Sequence, residues 1–187
     1  MNDVIILNDN LLINEGASRK CYRHPLDSTK CLKVAKNNSA VNEQDLQAYQ
    51  RVQTLLRNHI AGYEDRLADT NLGKALVCEL IRDDEGNPSA SFAEYRRSND
   101  SVEENLASQF AHFFDKISRE NLFFYDLNPK NFIIQRTSEG TRLIYTDLKS
   151  LGKTRTLVAL EKIPFFAKTK LRRRISRFKR RFLHSAK

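Results

Sequence analysis

Apolar positions along this chain change period more than once. Up to residue 35 they form short runs, at 4–7, 11–13, 19–23 and 30–35, broken by Asn14-Glu15-Gly16-Ala17-Ser18 and by Pro25-Leu26-Asp27-Ser28. Short runs bounded by such residues predict strands joined by turns. In the run 30–35, Leu32 and Val34 share one face while Cys31, Lys33 and Ala35 share the other. From 40 to 59 the spacing turns helical, with Val41, Ala48, Tyr49, Val52, Leu55 and Leu56 on one stripe. Ser39 or Asn38 caps this helix and Ala61-Gly62 ends it. Strands are predicted at 63–69 and 75–81, joined at Asn71-Leu72-Gly73; the second is nearly all apolar and so central. The polar stretch 82–91, rich in turn residues, marks a boundary between two lobes.

Beyond it, Ser101-Val102-Glu103-Glu104 reads as a capping box opening a helix. Leu106, Phe110, Phe113, Phe114 and Ile117 form the core face of that helix, and His112 beside them reads as structural. The runs 122–125, 132–134 and 143–145 predict buried strands, the last two joined through Ser138-Glu139-Gly140. From Pro164 onward Ala167, Leu171, Ile175, Phe178 and Phe182 recur at helical spacing, with Arg172, Arg173, Arg174, Arg177, Lys179, Arg180 and Arg181 around them. One position breaks the binary pattern. Asp45 falls inside the apolar stripe of its helix, between Val41 and Tyr49. An acid there either reaches solvent at the helix edge or pairs with a cation, and Lys33 is the partner expected.

The length of 187 residues suits one domain with a real core and leaves little for a second full lobe. The formal charge of +9 is unevenly spread. Residues 153–187 hold 13 Lys/Arg against the single acid Glu161, which leaves 19 Lys/Arg and 22 Asp/Glu in residues 1–152. The body is mildly acidic and the basicity is appended, unlike a nucleic-acid-binding fold with charge over its working face. Cys21, Cys31 and Cys78 lack metal-ligand spacing and read as idle thiols in a reducing compartment. The N-terminal apolar run is too short for a signal peptide, and no stretch approaches a membrane span. The expected location is cytoplasmic; peripheral attachment at the inner membrane is one of the readings the basic segment leaves open.

The chemistry-bearing stretch is Tyr125-Asp126-Leu127-Asn128-Pro129-Lys130-Asn131, followed by Asp147. A carboxylate to orient a hydroxyl, with an amide oxygen and a second carboxylate to hold Mg²⁺, is what phosphoryl transfer from ATP needs. The spacing Asp126 to Asn131 fits the kinase catalytic loop, and Asp147 stands where the metal-binding Asp of the Asp-Phe-Gly motif would stand. Lys33 on its strand suits the α/β-phosphates. Gly16 alone is better explained by an ordinary turn than by a phosphate-covering loop.

Taken in order, Gly16-Ala17-Ser18-Arg19-Lys20-Cys21-Tyr22, Cys31-Leu32-Lys33-Val34, Leu127-Asn128-Pro129-Lys130-Asn131 and the basic segment make the chain similar to the PhoP regulatory network YrbL family. That resemblance implies an α+β, reduced protein-kinase-like two-lobed fold, with a small antiparallel-sheet N-lobe and a trimmed helical C-lobe. It implies a kinase-like domain over 1–152 (N-lobe about 1–82, C-lobe about 91–152) and a basic segment, 153–187. A wider similarity to lipopolysaccharide core sugar kinases suggests a hydroxyl of an envelope sugar or lipid as acceptor. The residue roles that follow are Asp126 as base, with Lys33, Asn128 and Lys130 around the reaction. Gly16, Ala17, Ser18, Lys33, Asp45, Glu79 and Ile81 would contact ATP, and Asn131 and Asp147 would hold Mg²⁺.

Some departures bear on the reading. Phe124-Tyr125 stand where kinases carry His-Arg, Asn128 stands where a lysine is usual, and Asp147-Leu148-Lys149 replaces Asp-Phe-Gly. These weaken a Ser/Thr protein-kinase reading more than a small-substrate one. They also leave open a regulatory module that binds without turnover. For the basic helix, anionic lipid, nucleic acid, and simple packing onto the second lobe all remain open, with nucleic acid the least favoured.

Overall fold

The computed structural model describes residues 4–152 and 164–183, with the backbone alone for 164–167. The chain is mixed α+β and divides into two compact units, residues 1–88 and 89–187.

In the first unit, strands β1 (Leu12–Glu15), β2 (Arg19–Arg23), β3 (Lys30–Ala35), β4 (Ala68–Thr70) and β5 (Gly73–Glu79) form one antiparallel sheet in the order β1-β2-β3-β5-β4. The register Cys21↔Lys33 and Cys31↔Cys78 carries the alternation of β3 across its neighbours. One face gathers Tyr22, Leu32, Val34, Ala75 and Val77 with Leu7 into a buried core. The other face carries Arg19, Cys21, Cys31, Lys33 and Cys78. Helix α1 (Ala40–Leu56) meets that face through Asp45, which pairs with Arg19. Asn42 of α1 ties two strands together, its Nδ2 donating to the carbonyls of Lys33 at 2.8 Å and Lys74 at 3.1 Å. The side-chain cap on α1 is Asn38, whose Oδ1 accepts from Ala40 N; Ser39 makes no such bond.

Two strand expectations are corrected here. The run 4–7 is no strand: Ile5 makes an isolated bridge to Thr70, and the Asn71 amide clasps Leu7 N and O at 2.8 and 3.0 Å, so edge contacts replace a ladder. The strand expected at 63–69 shrinks to β4. Tyr63 bridges Cys78 alone, and the exposed Asp65-Arg66 bend carries the chain away before Ala68 rejoins β5.

The second unit contains helix α2 (Phe92–Ser98), helix α3 (Glu104–Arg119), the hairpin β6 (Phe132–Thr137) with β7 (Gly140–Tyr145), and helix α4 (Pro164–Phe178), which runs into a π-turn, Lys179–Leu183. The predicted Phe face of α3 is buried, with Leu106, Phe110, Phe113, Phe114 and Ile117 at 2% exposure or less. Gln109 locks α3 to β7, donating to Thr141 O and accepting from Leu143 N. His112 is exposed on α3.

Helix α4 contributes Leu171, Ile175 and Phe178 to this core. The Phe178 ring lies 5.3–6.0 Å, centroid to centroid, from those of Phe92, Phe110, Phe114 and Phe132. The apolar stripe of the basic segment is therefore consumed within its own unit. The Ala167 side chain falls outside the described residues.

Helix α2 and its capping box, Ser91 with Glu94, were not anticipated from sequence, although Ser-x-x-Glu is visible there. The box expected at 101–104 does not form. Glu103 sits at the N-cap without a side-chain bond and pairs with Arg136 instead. The run 122–125 is irregular: it makes a single Phe124↔Leu151 bridge and flanking backbone bonds in place of a ladder.

Candidate functional site

Two groups of residues stand out, one in each unit. The first lies on the polar face of the sheet. Asp45 is fully buried and pairs with the Arg19 guanidinium. Its Oδ1 also lies 3.4 Å from the Tyr63 hydroxyl, which in turn lies 3.4 Å from Lys33 Nζ. Tyr63 stacks on Tyr49 of α1 at 4.5 Å, and Lys33 Nζ sits 5.2 Å from the Tyr63 ring centre. The structure thus joins Lys33 and Asp45 in one cluster and adds Arg19 and Tyr63, which sequence reasoning did not single out. The signal for Arg19 was its place on the same strand face as Cys21, cross-strand from Ala35. The solvent-reaching reading of Asp45 is overturned, because its partners lie inside.

Electrostatics follow from this packing. Burial opposes the Lys33 charge, yet the Cys78 sulfur, the Tyr63 oxygen and Asp45 hold it above the ordinary lysine value. Burial, then the nearby Asp45 charge, pushes the Tyr63 phenol up. Cys31 and Cys78, directly opposite in the sheet, have sulfurs 3.4 Å apart. Hydrogen bonds with Cys21 and Cys78 push the Cys31 thiol up, while the bond from Cys31 draws Cys78 down to about 7, against burial and with help from Lys33.

The turn Gly16-Ala17-Ser18 joins β1 to β2, closed by Gly16 N donating to Arg19 O at 2.8 Å, while Ser18 O accepts from Lys36 N. A Cβ on Gly16 would meet Arg19 O at 3.5 Å, an ordinary contact, so the turn itself does not demand glycine. Glu79 closes β5 with its carboxylate on Gly62 N at 3.0 Å and its own amide on Gly62 O at 2.7 Å. With Leu80 N on Thr29 O, the amides of 79 and 80 are committed within the unit; Ile81, just beyond them, is buried.

The second group lies where the 125–131 loop meets the open end of the β6–β7 hairpin. Because Phe132 pairs with Tyr145, Asn131 and Thr146 leave the hairpin side by side. Thr146 N and Oγ1 both donate to Asn131 O, at 2.9 and 3.2 Å. The Asp126 carbonyl accepts Asn131 Nδ2 at 3.2 Å and the Tyr145 hydroxyl at 2.8 Å. Asn128 caps the short 3-10 turn Pro129–Asn131 through its Oδ1 on Lys130 N, so its role is structural as well as local to the loop. Past β7, Asp147 is 7% exposed, its carbonyl accepts the Ser150 hydroxyl, and that hydroxyl also meets Tyr145 at 3.0 Å. Lys149 Nζ lies 3.5 Å from Asp147 Oδ1. Asp126 and Lys130 are exposed, and Asp126 makes no ion pair among the described residues.

Asn131 and Asp147 carry side-chain oxygens of the kind a hard divalent cation takes. Mg²⁺ takes one or two protein oxygens and completes its shell with phosphate and water. Asn131 spends its nitrogen on Asp126 O, which leaves Oδ1 as its other polar atom, and the Lys149 ammonium beside Asp147 would compete with a cation there. Among the described residues no cluster of three His, Cys, Asp or Glu could hold a metal by itself.

The two α+β units thus hold a Lys33-Asp45-Arg19-Tyr63 cluster around a fully buried Asp45 in one, and an Asp/Asn loop laced to a hairpin end in the other. The chain matches the family described as PhoP regulatory network protein YrbL over residues 5–183, and it belongs to that family. It is 23% identical over 146 residues to "Uncharacterized protein YrbL" of Escherichia coli K12, covering 73% of this chain and 69% of that protein; the Shigella flexneri protein of the same name matches equally. No helix among the described residues is long and apolar enough to cross a membrane.

Proposed function

We propose that the protein is an ATP- and Mg²⁺-dependent phosphotransferase of reduced protein-kinase-like architecture, acting on a hydroxyl of an envelope sugar or lipid. The observation that carries this reading is the shared Asp126 carbonyl. By accepting from both Asn131 and Tyr145, it fixes the loop that carries Asp126 to the hairpin end that carries Asp147. Rigid positioning matters because phosphoryl transfer is catalysed mostly by placement and charge.

In this reading the Asp126 carboxylate orients the acceptor hydroxyl and takes its proton. Asn131 Oδ1 and the Asp147 carboxylate hold the cation, which when bound neutralises charge on the β- and γ-phosphates. Lys33 binds the α/β-phosphates, held in place by Tyr63 and by the Arg19–Asp45 pair. The Gly16-Ala17-Ser18 turn covers phosphate with backbone amides, and the stretch around Glu79 and Ile81 receives the base. The Phe124-Tyr125 pair, where kinases carry His-Arg, favours a small-substrate acceptor over a protein one.

A second reading is favoured by one contact. Lys149 beside Asp147 supplies in-chain the positive charge a metal would bring, as a regulatory module that binds partners without turnover would require. Transfer of labelled γ-phosphate from ATP to delipidated and lipid-containing envelope fractions separates the two. The first reading expects Mg²⁺-dependent labelling lost in Asp126→Ala. Absence of labelling in every fraction, with binding retained, favours the second.

A further inference from the structure

Helix α4 and its π-turn hold nine Lys/Arg and no acid between residues 164 and 183. Helices of this composition commonly insert an apolar face into lipid. Here that face is taken: Leu171, Ile175 and Phe178 are buried in the second unit's Phe core. Arg174 also points inward, donating to Tyr125 O with its guanidinium 5.1 Å from the Tyr125 ring centre. Arg172, Arg173, Arg177, Arg180 and Arg181 are exposed. At about 100° per residue they cover roughly half the circumference, opposite the buried stripe. The result is a guanidinium face about 14 Å long at 1.5 Å per residue, from Arg172 to Arg181.

We infer that this face is a docking surface for an anionic bilayer, which it binds by charge alone, without burying apolar side chains in the lipid. Guanidinium forks match lipid phosphates, and each basic group near such a surface contributes about fivefold in affinity. A planar partner suits charge confined to one straight helix. Nucleic acid suits it less: strand binders draw charge from several elements, and the five exposed arginines lie on one helix and the turn that continues it. With 22 Asp/Glu against 19 Lys/Arg in residues 1–152, the net basicity of the chain lies in its C-terminal segment. The inference does not depend on phosphotransfer.

The test is flotation of the full chain with vesicles of phosphatidylglycerol in phosphatidylcholine, and with pure phosphatidylcholine. Binding to the anionic vesicles alone is expected, falling steeply between about 50 and about 500 mM salt as screening shortens the reach of the charges. Arg172→Glu/Arg173→Glu/Arg177→Glu should weaken it at least about tenfold with an unchanged melting temperature. The same charge change at the exposed Arg51, Arg57 and Arg66 of the first unit should do far less. Equal binding to neutral vesicles, equal loss in both triple variants, or no anionic binding at low salt would each overturn the inference. So would tighter binding to a short duplex oligonucleotide that displaces the vesicles.

Discussion

The Tyr145 hydroxyl donates to the Asp126 carbonyl at 2.8 Å and lies 3.0 Å from Ser150 Oγ, so one buried phenol joins the loop before β6 to the turn after β7. Tyr145→Phe keeps the ring in its aromatic cluster and removes only the oxygen. The Asp126 carbonyl keeps its bond from Asn131, so the loss is that of one hydrogen bond, about 1 kcal/mol. A melting temperature lower by several degrees is expected, with faster hydrogen exchange confined to 125–131 and 146–151. Uniformly faster exchange through the second unit would show that the contact is merely one core bond among many.

Breaking the Arg19–Asp45 pair leaves a charge stranded. The Asp45 side chain is 0% exposed and Arg19 11%. Asp45→Ala should destabilise by about 3–5 kcal/mol. Arg19→Met with Asp45→Leu should recover much of that loss, because the costly state is the unpaired charge rather than the missing bridge. Urea denaturation of the two single variants and the double variant measures the difference. If Lys33 needs this cluster, the rescued double variant will regain stability without regaining nucleotide binding.

Phe178→Ala tests whether α4 belongs to its unit's core. The ring contacts four other phenylalanines there, and a buried Phe truncation costs about 3–5 kcal/mol. A change below about 1 kcal/mol in thermal or urea unfolding would mean that the helix packs weakly.

How much of this was legible beforehand varied with the range of the interaction. The limits of β2 and β3 follow from alternation and from the Gly16 and Pro25 turns, both local signals, and the Phe stripe of α3 is equally local. Asp45 was visible as an anomaly, but its partner was not: Arg19 lies 26 residues earlier and reaches Asp45 only because β2 and α1 meet on one sheet face. Tyr63 looked like strand material and proved to be the group between Asp45 and Lys33. The run 122–125 has strand composition, yet its neighbours supply a loop and a turn instead of a ladder. Helix α2 was missed because a polar stretch hid a short helix whose one clear mark was Ser91-x-x-Glu94.

That cap gives a pH prediction. The Ser91 hydroxyl and backbone amide hold the Glu94 carboxyl below its usual value. A carboxyl depressed in the folded state adds stability above its unfolded value of about 4.5, lost as pH falls through the folded value. Glu94→Gln should therefore cost stability at neutral pH, by about 1 kcal/mol or less, and cost progressively less below pH about 4. Parallel stability curves for the two proteins from pH about 7 to about 3 would contradict this.

The central proposal is Mg²⁺-dependent nucleotide binding that needs both Lys33 and Asp147. Calorimetric titration of the full chain with ATP, with and without Mg²⁺, measures it. Saturable binding that requires Mg²⁺, and is abolished in both Lys33→Ala and Asp147→Ala with each variant still folded, is the predicted result. Binding that ignores Mg²⁺, or that survives either substitution, would contradict it.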